Sequence, residues 1–286
     1  MHTTLGIIGG SGLYDMADLD NVQELEVDTP FGKPSDVLIR GELGQVTLIF
    51  LPRHGRGHRL APHRINYRAN LFALKQAGVQ QVLSISAVGS LREHIHPGDM
   101  LVVDQFIDRT RNRASTFFDD FNLVAHVAFG EPVDRALATA LQQAAAATGA
   151  TVHEGGTYVC MEGPQFSTRA ESELYRSWGA SVIGMTNLPE AKLAREAELP
   201  YASLAMVTDY DCWHQDEADV SVESVLSVLK RNVEVARSTI RNLTPNLPDP
   251  QLSPASTALK DALITDRSHI SADARTALAP LLGRYL

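Results

Sequence analysis

The stretch Val82-Leu83-Ser84-Ile85-Ser86-Ala87-Val88-Gly89-Ser90-Leu91 decides the class of the fold. It begins with an apolar run and ends in small residues and a glycine. This pattern is typical of a strand that is buried on both faces and leaves its sheet through a tight loop. Runs of the same kind recur through the first two-thirds of the chain. They predict strands at residues 5–8, 46–51, 82–85, 100–103, 157–159, 182–185 and 202–207.

Helical patterns lie between several of these strands. Residues 64–78 and 132–149 each end at a glycine placed to terminate a helix. Ser167 or Thr168 provides a cap for a helix that runs to Trp178, and residues 221–243 carry apolar side chains at steps of three or four. Strands that alternate with helices predict one α/β domain, with a central mixed or mainly parallel sheet flanked by helices.

The composition of the sequence changes after residue 244. Four prolines fall between residues 245 and 254, so this stretch cannot form a continuous helix. We therefore expect a domain over residues 1–244, followed by a proline-rich linker and a short helical extension over residues 245–286. Two helices are predicted in that extension, at residues 257–263 and 272–282.

Composition narrows the possible functions. The 286 residues include 25 Lys and Arg against 34 Asp and Glu, a formal net charge of −9. Nucleic acid is not an expected partner, because the densest basic run, residues 109–113, is short. Membrane insertion is not expected either, since no apolar run approaches the ~20 residues that span a bilayer. With Cys160 and Cys212 as the only cysteines and no signal-like N-terminus, we expect a cytoplasmic protein.

The first candidate for chemistry is Ile7-Ile8-Gly9-Gly10-Ser11-Gly12, a strand that enters a glycine turn. Glycines let backbone N–H groups approach an anion closely, and Ser11 adds a hydroxyl donor. The third glycine of a dinucleotide fingerprint and the lysine of a Walker loop are both missing. A plain tight turn remains the alternative.

A second candidate follows the strand at residues 46–51. Arg53 and His54 combine a planar guanidinium with an imidazole, two groups that bind phosphate. His54, His58 and His63 also suggest a metal, but the intervening glycines disfavour the helical spacing such a site needs. The alternative is a solvated basic loop.

Three more strand ends carry polar side chains. Ser86 lies near one, Thr186 at the next, and Asp209 and Asp211 follow a third. Ligands of open α/β sheets bind at the carboxyl ends of strands, so the polar side chains at these strand ends are consistent with one binding site. Two carboxylates suggest a metal, but no further ligands lie nearby, whereas a purine-like heterocycle offers donors to two acceptors. The alternative is a solvent-facing acidic loop.

A series of short motifs follows one order along the chain. The motifs are Gly9-Gly10-Ser11-Gly12, Asp28-Thr29-Pro30-Phe31-Gly32, Arg53-His54-Gly55, Asn66-Tyr67-Arg68-Ala69-Asn70, Ala87-Val88-Gly89-Ser90-Leu91, Pro97-Gly98-Asp99, Asp104-Gln105-Phe106-Ile107-Asp108-Arg109-Thr110, Glu162-Gly163-Pro164-Gln165-Phe166, Met185-Thr186, Pro189-Glu190 and Thr208-Asp209-Tyr210-Asp211-Cys212-Trp213. This set resembles the S-methyl-5′-thioadenosine phosphorylases, a branch of the trimeric purine nucleoside phosphorylases. The resemblance covers about residues 5–243 and leaves the stretch after Pro245 outside it.

The resemblance implies a transferase of the pentosyltransferase class. Orthophosphate attacks C1′ of S-methyl-5′-thioadenosine and releases adenine and 5-methylthioribose 1-phosphate, a reaction of purine and methionine salvage. It also implies the nucleoside phosphorylase fold and a homotrimer with its sites near subunit boundaries. Orthophosphate is then a co-substrate, and neither a cofactor nor a metal is expected.

The same resemblance assigns roles by position. Its phosphate site comprises Ser11, Arg53, His54, Ser86, Ala87 and Thr186. Its nucleoside site comprises Met185 against the ribose, Phe166 and Ser167 beside the base, Val222 and Val225 around the methylthio group, and His126 from a neighbouring subunit. Asp209 faces purine N7 and Asp211 the 6-amino group, and these two with Ser86 are the expected catalytic residues. Some family members carry asparagine where this chain has Gly184. The resemblance therefore does not decide whether this chain lacks a polar contact near the base.

Physical chemistry agrees with this assignment. Cleavage of an N-glycosidic bond needs an anion beneath C1′ and relief of the negative charge that develops on the departing purine. We expect a protonated Asp209, with its pKa raised by burial and by its acidic neighbour, to donate to N7. The alternatives are a phosphorylase of 6-oxopurine nucleosides or S-methyl-5′-thioinosine, a nucleosidase that uses water, and a non-catalytic purine-binding module.

Overall fold

A computed structural model describes residues 3–10, 12–14, 16–214 and 222–286, with only the backbone described for residues 222–227. Its strands are β1 (Thr3–Gly9), β2 (Asp20–Leu25), β3 (Leu38–Leu43), β4 (Val46–Pro52), β5 (Gln81–Ser90), β6 (Met100–Val102), β7 (Gln105–Arg109), β8 (Val152–Glu154), β9 (Thr157–Met161), β10 (Val182–Gly184) and β11 (Tyr201–Asp209). Its helices are α1 (Tyr67–Gln76), α2 (Arg135–Ala146), α3 (Arg169–Ser177), α4 (Asn187–Glu196), α5 (Val222–Leu243), α6 (Ala272–Ala277) and α7 (Ala279–Leu282).

The eleven strands form one mixed sheet, as the sequence predicts. Its order is β2-β3-β4-β1-β5-β10-β9-β7, and a branch leads from β5 through β11 and β6 to β8. Strand β5 is parallel to β1 and β11 but antiparallel to β10. All seven predicted strands are present, because their apolar runs are buried in the centre of the sheet.

Strand β5 is paired unevenly along its two edges. One edge follows β11 from Val82 to Gly89. The other edge pairs with β1 as far as Ser84 and with β10 only from Gly89. The described pairing therefore leaves a gap at residues 85–88, where the sheet splits and the main cavity opens.

The helices predicted before residue 244 are also present. Thr168, rather than Ser167, caps α3, and it forms a reciprocal capping box with Glu171. Elements without a strong apolar pattern were not predicted. These are β2, β3, β7, β8 and α4.

The C-terminal extension differs from its prediction. Residues 257–263 form tight turns in place of a helix, with hydrogen bonds such as Lys260 N–H to Thr257 O spanning three residues. The helix predicted over residues 272–282 is split at Leu278, because Pro280 lacks the N–H that a continuing helix needs. Leu259, Leu278 and Leu282 are fully buried in the same core as α1.

Among the described residues, no helix combines the length and the apolarity that crossing a bilayer requires.

Candidate active site

A cavity of about 630 Å³ opens at the split in the sheet, and we call it the main cavity. The loop after β4, the carboxyl half of β5, the exits of β9, β10 and β11, and one face of α5 all contribute to it. From the predicted site, its lining includes Arg53, His54, Ser86, Ala87, Thr186, Met185, Phe166, Asp209 and Asp211. The structure thus brings together side chains that are more than 150 positions apart in sequence.

Arg53 lies where β1 and β5 diverge. Its guanidinium donates to the carbonyls of Ile8 and Ile85 at 3.3 and 3.0 Å, which are backbone acceptors at the split. Its Nε and Nη2 also donate to the two carboxylate oxygens of Glu190, at 2.8 and 3.1 Å. Both side chains are almost fully buried, with 2% and 1% exposed.

This geometry adds a second partner to the predicted role of Arg53, and its contact with phosphate stays a prediction. The bidentate fork that we assigned to phosphate holds Glu190, because two buried charges are stable only when they are paired and hydrogen-bonded. Burial alone would lower the pKa of Arg53, but the Glu190 carboxylate outweighs it and raises that pKa. Arg53 still lines the main cavity.

His54 is held in one tautomer. Its Nδ1 lies 2.8 Å from the carbonyl oxygen of Leu60, an acceptor, so this nitrogen carries the proton. Burial lowers the pKa of His54 to about 4, and the positive charge of Arg53 acts in the same direction. The imidazole is therefore neutral near pH 7, which leaves Nε2 as an acceptor. Its ring stacks on His58 at a centroid distance of 4.1 Å.

The hydroxyl groups of the predicted phosphate site lie on β5 and after β10. Ser86 is buried, and its Oγ donates to Asn187 Oδ1 at 3.1 Å. The backbone N–H of Thr186 contacts the Tyr158 hydroxyl at 3.4 Å. That hydroxyl also occupies the space that a side chain at Gly184 would need. Tyr158 thus explains why residue 184 is glycine in this chain.

Asp209 and Asp211 meet at the end of β11. The backbone N–H of Asp211 donates to Asp209 Oδ1 at 2.8 Å, and the Thr208 hydroxyl lies 2.7 Å from Asp209 Oδ2. Gly89 makes this close packing possible, because a Cβ there would approach Asp209 Oδ1 to 2.8 Å. The turn at Asp211 has a positive φ of 54°, which directs both carboxylates to one cavity.

The two carboxylates differ in their surroundings. Burial raises the pKa of Asp211 to about 6, and the nearby charge of Asp209 adds to the effect. Asp211 Oδ2 is buried without a hydrogen-bond partner among the described residues. Asp209 accepts the Asp211 N–H, and the Cys212 N–H likewise bonds to Asp211 and lowers its pKa against the effect of burial. The raised pKa of Asp211 gives the pair a group that holds a proton below about pH 6. The proton expected at Asp209 stays a prediction.

The remaining predicted residues fall into two groups. Ser167 and His126 do not line the main cavity: the Ser167 hydroxyl contacts Met161 Sδ at 3.4 Å, and the His126 N–H donates to Ala262 O. Ser11 and the side chains of Val222 and Val225 lie outside the described residues. In the described part of α5, Leu229 and Val233 supply an apolar wall.

Arg113 is a site residue that the sequence did not reveal. It lies in the short basic run that we considered only for nucleic acid. Its side chain is buried and donates to the carbonyls of Met185 and Leu188 at 2.7 and 2.8 Å, and to that of Glu162 at 2.6 Å. It thereby ties the exit of β9 to the exit of β10, both of which line the main cavity. Sequence offers no signal for such a role, because these acceptors are backbone carbonyls.

Comparison with known proteins places the chain in a family. The model of the phosphorylase superfamily matches residues 4–244. S-methyl-5′-thioadenosine phosphorylases from Geobacter sulfurreducens and Thermosynechococcus vestitus are each 53% identical to this chain, with full coverage of both sequences in each pair. The chain belongs to the S-methyl-5′-thioadenosine phosphorylase family. The resemblance identified from its motifs is therefore confirmed.

Solved structures agree with this family membership. A methylthioadenosine phosphorylase from an Antarctic soil metagenomic library superposes with a TM-score of 0.93 at 48% identity, covering 98% of this chain and 99% of the other. A methylthioadenosine phosphorylase from Schistosoma mansoni, solved in complex with adenine, gives a TM-score of 0.85 at 36% identity, with 92% and 99% coverage. The predicted nucleoside phosphorylase fold is confirmed.

Within the described residues, no group of three or more His, Cys, Asp or Glu is arranged to hold a metal ion.

Proposed function

We propose that the main cavity catalyses the phosphorolysis of S-methyl-5′-thioadenosine. The observation that carries the proposal is that one cavity is lined both by Arg53, His54, Ser86 and Thr186 and by the acidic pair Asp209 and Asp211. The Arg53 guanidinium and the hydroxyls of Ser86 and Thr186 suit an oxyanion, and the acidic pair suits a purine. Met185, which also lines the cavity, is proposed to pack against the ribose between them.

The reaction follows from this arrangement. An oxygen of inorganic phosphate forms a bond to C1′ as the bond from C1′ to N9 breaks, and the bonding electrons leave with adenine. In this proposal a proton on the Asp209–Asp211 pair moves to N7 and neutralises the leaving base. The positive charge of Arg53 and the hydroxyls of Ser86 and Thr186 orient the anion, so catalysis rests on positioning and electrostatics.

The choice of purine follows from the acidic pair. Asp211 Oδ2 is buried and unpaired, so a 6-amino group would supply the donor that it lacks. A 6-oxo group would instead place two acceptors together, at a cost of about 1–3 kcal/mol. The apolar wall of Leu229 and Val233 suits a methylthio substituent better than a 5′-hydroxyl.

One assay tests the proposal. Base release from S-methyl-5′-thioadenosine, adenosine, inosine and S-methyl-5′-thioinosine is measured with and without inorganic phosphate. We expect release that requires phosphate and is fastest with S-methyl-5′-thioadenosine. Release without phosphate would identify a nucleosidase, faster release from the inosine compounds a 6-oxopurine phosphorylase, and binding without release a non-catalytic module.

A variant tests the role of the acidic pair. Asp209→Asn should slow the cleavage of adenine nucleosides and move the preference toward 6-oxopurines, because an amide cannot deliver the proton to N7 but can donate to the 6-oxo group beside it. Unchanged selectivity would contradict the proposed role.

Activity that persists after treatment with a chelator would support a reaction that uses phosphate as co-substrate without a metal.

We further propose a cytoplasmic homotrimer, with His126 of one subunit closing the cavity of the next. The support is three exposed apolar side chains around α3, namely Phe166 before the helix, Leu174 within it and Trp178 just after it. Phe166 also lines the main cavity, so a neighbour seated there would reach the site. Light scattering on the purified protein tests the trimer, and a monomer with full activity would contradict it.

A further inference from the structure

Helix α5 lines the main cavity and contacts two other elements that line it. Leu229 and Val233, four residues apart, line the cavity, and Arg237 continues the same spacing. On the neighbouring face, the Asn232 amide donates to Val207 O at 2.9 Å, close to the end of β11. The helix therefore contacts both the strand that carries the acidic pair and the glycine turn after β1.

Arg237 makes the contact with the glycine turn. Its Nε donates to the Gly12 carbonyl oxygen at 2.8 Å, and its Nη2 donates to the same oxygen through a second, shorter bond. Nη1 bonds to Glu234 Oε1 at 2.7 Å, which fixes the plane of the guanidinium. The Arg237 side chain is only 16% exposed.

The backbone at Gly12 needs such a restraint. Its φ is +102°, a conformation open to glycine, which is also the residue with the greatest conformational freedom. Because the peptide group is planar and trans, holding the Gly12 carbonyl also fixes the direction of the N–H on the next residue, Leu13. Gly10 and Leu13, on either side of this turn, both line the main cavity.

We propose that Arg237 is a positioning residue that holds the glycine turn in the shape that receives the phosphate oxyanion. This inference rests on the proposed function, because it takes the turn to belong to the phosphate site. Arg237 acts through the backbone of Gly12, and its charge-assisted pair of bonds to one carbonyl replaces the order that the glycines themselves lack.

The chain provides a matched control one helical turn away. Arg241 lies on the same face of α5 and forms a similar two-bond pair with Asp18, at 2.7 and 3.0 Å. This pair is at the surface and does not line the main cavity. Arg237→Met and Arg241→Met thus remove the same side chain from the same helix, with and without contact to the turn.

The experiment measures the KM for phosphate, the KM for S-methyl-5′-thioadenosine and kcat for both variants. We expect Arg237→Met to raise the KM for phosphate about tenfold, the loss expected for a charge-assisted hydrogen bond, with the nucleoside KM changed about twofold or less. Arg241→Met should match the wild type. Arg237→Lys should restore part of the loss, because an ammonium group supplies one bond where the guanidinium supplies two.

The outcomes separate clearly. Equal phosphate KM values for the two methionine variants, or equal increases in both KM values for Arg237→Met, would overturn the proposal. Calorimetric titration with inorganic phosphate alone provides a second measurement that needs no turnover, and Arg237→Met should weaken that binding as well. If the wild type binds phosphate but cleaves no nucleoside, the proposed function fails while the titration still decides the role of Arg237.

Discussion

The buried pair of Arg53 and Glu190 makes a strong prediction about stability. We consider the substitution Glu190→Gln, which keeps the size of the side chain and removes its charge. The carboxylate accepts from Arg53 Nε and Nη2 at 2.8 and 3.1 Å, and its Oε1 also accepts from the Tyr201 hydroxyl at 3.0 Å. An amide can keep the bonds to one oxygen, but its NH₂ group then faces a guanidinium N–H, and two donors meet.

The magnitude follows from burial. With 2% of Arg53 and 1% of Glu190 exposed, water cannot replace the lost partner, and the guanidinium is left as an uncompensated buried charge. Breaking a buried pair by removing one member costs about 3–5 kcal/mol. That loss is a large share of the ~5–15 kcal/mol by which a domain is stable. Glu190→Gln should therefore lower the urea midpoint markedly.

The assay is urea unfolding near pH 7, with Glu131→Gln as the matched control. Glu131 pairs with Arg135 at 3.4 Å, but these side chains are 68% and 86% exposed. The control should lose no more than about 0.5 kcal/mol, because water and salt screen surface pairs. The double variant Arg53→Met with Glu190→Leu should recover part of the loss, since it leaves no buried charge. If Glu190→Gln costs no more than the control, our reasoning about this pair is wrong.

Three further predictions concern the site and the core. Arg113→Met should raise the KM for the nucleoside about tenfold, because two cavity loops lose their shared donor, whereas the exposed Arg111→Met should leave steady-state kinetics unchanged. Burial raises the pKa of Glu196 from 4.5 to about 7 in the folded chain. The wild type should therefore lose about 1–3 kcal/mol of unfolding free energy relative to Glu196→Gln as pH rises from 4.5 to about 7. Urea unfolding below and above that range measures the difference. A difference that stays constant with pH would contradict the prediction. Gly184→Ala should cost about 1–3 kcal/mol in thermal unfolding because its Cβ overlaps a buried tyrosine hydroxyl, whereas Gly130→Ala, in open space, should not; equal losses would refute the overlap.

Sequence predicted the centre of the fold well and its periphery poorly. The strands at residues 82–85 and 202–207 are found because both of their faces are buried, so their apolar runs are unbroken. Strand β2 is almost wholly exposed and has no such run. The helix predicted at residues 257–263 is absent, because local helical spacing cannot reveal that this segment closes through three-residue turns.

The site shows the same division. Nine of the predicted site residues, from Arg53 to Asp211, do line the main cavity. Residue types and their order could not show that Glu190 takes the guanidinium fork, since that pairing joins positions 137 residues apart. Nor could they show that Asp211 has the raised pKa, because this depends on which of two adjacent carboxylates is buried without a partner.

The uneven pairing of β5 has a consequence for motion. Ser86 and Ala87 are paired with Ala205 and Met206 of β11, in a strand bonded on both edges at its start and end. The amides of this segment that are bonded to β11 exchange with solvent only when much of the molecule opens. The floor of the cavity is therefore its rigid part. Adjustment to ligands of different size falls to the rim, namely the loop after β4 and the wall of α5.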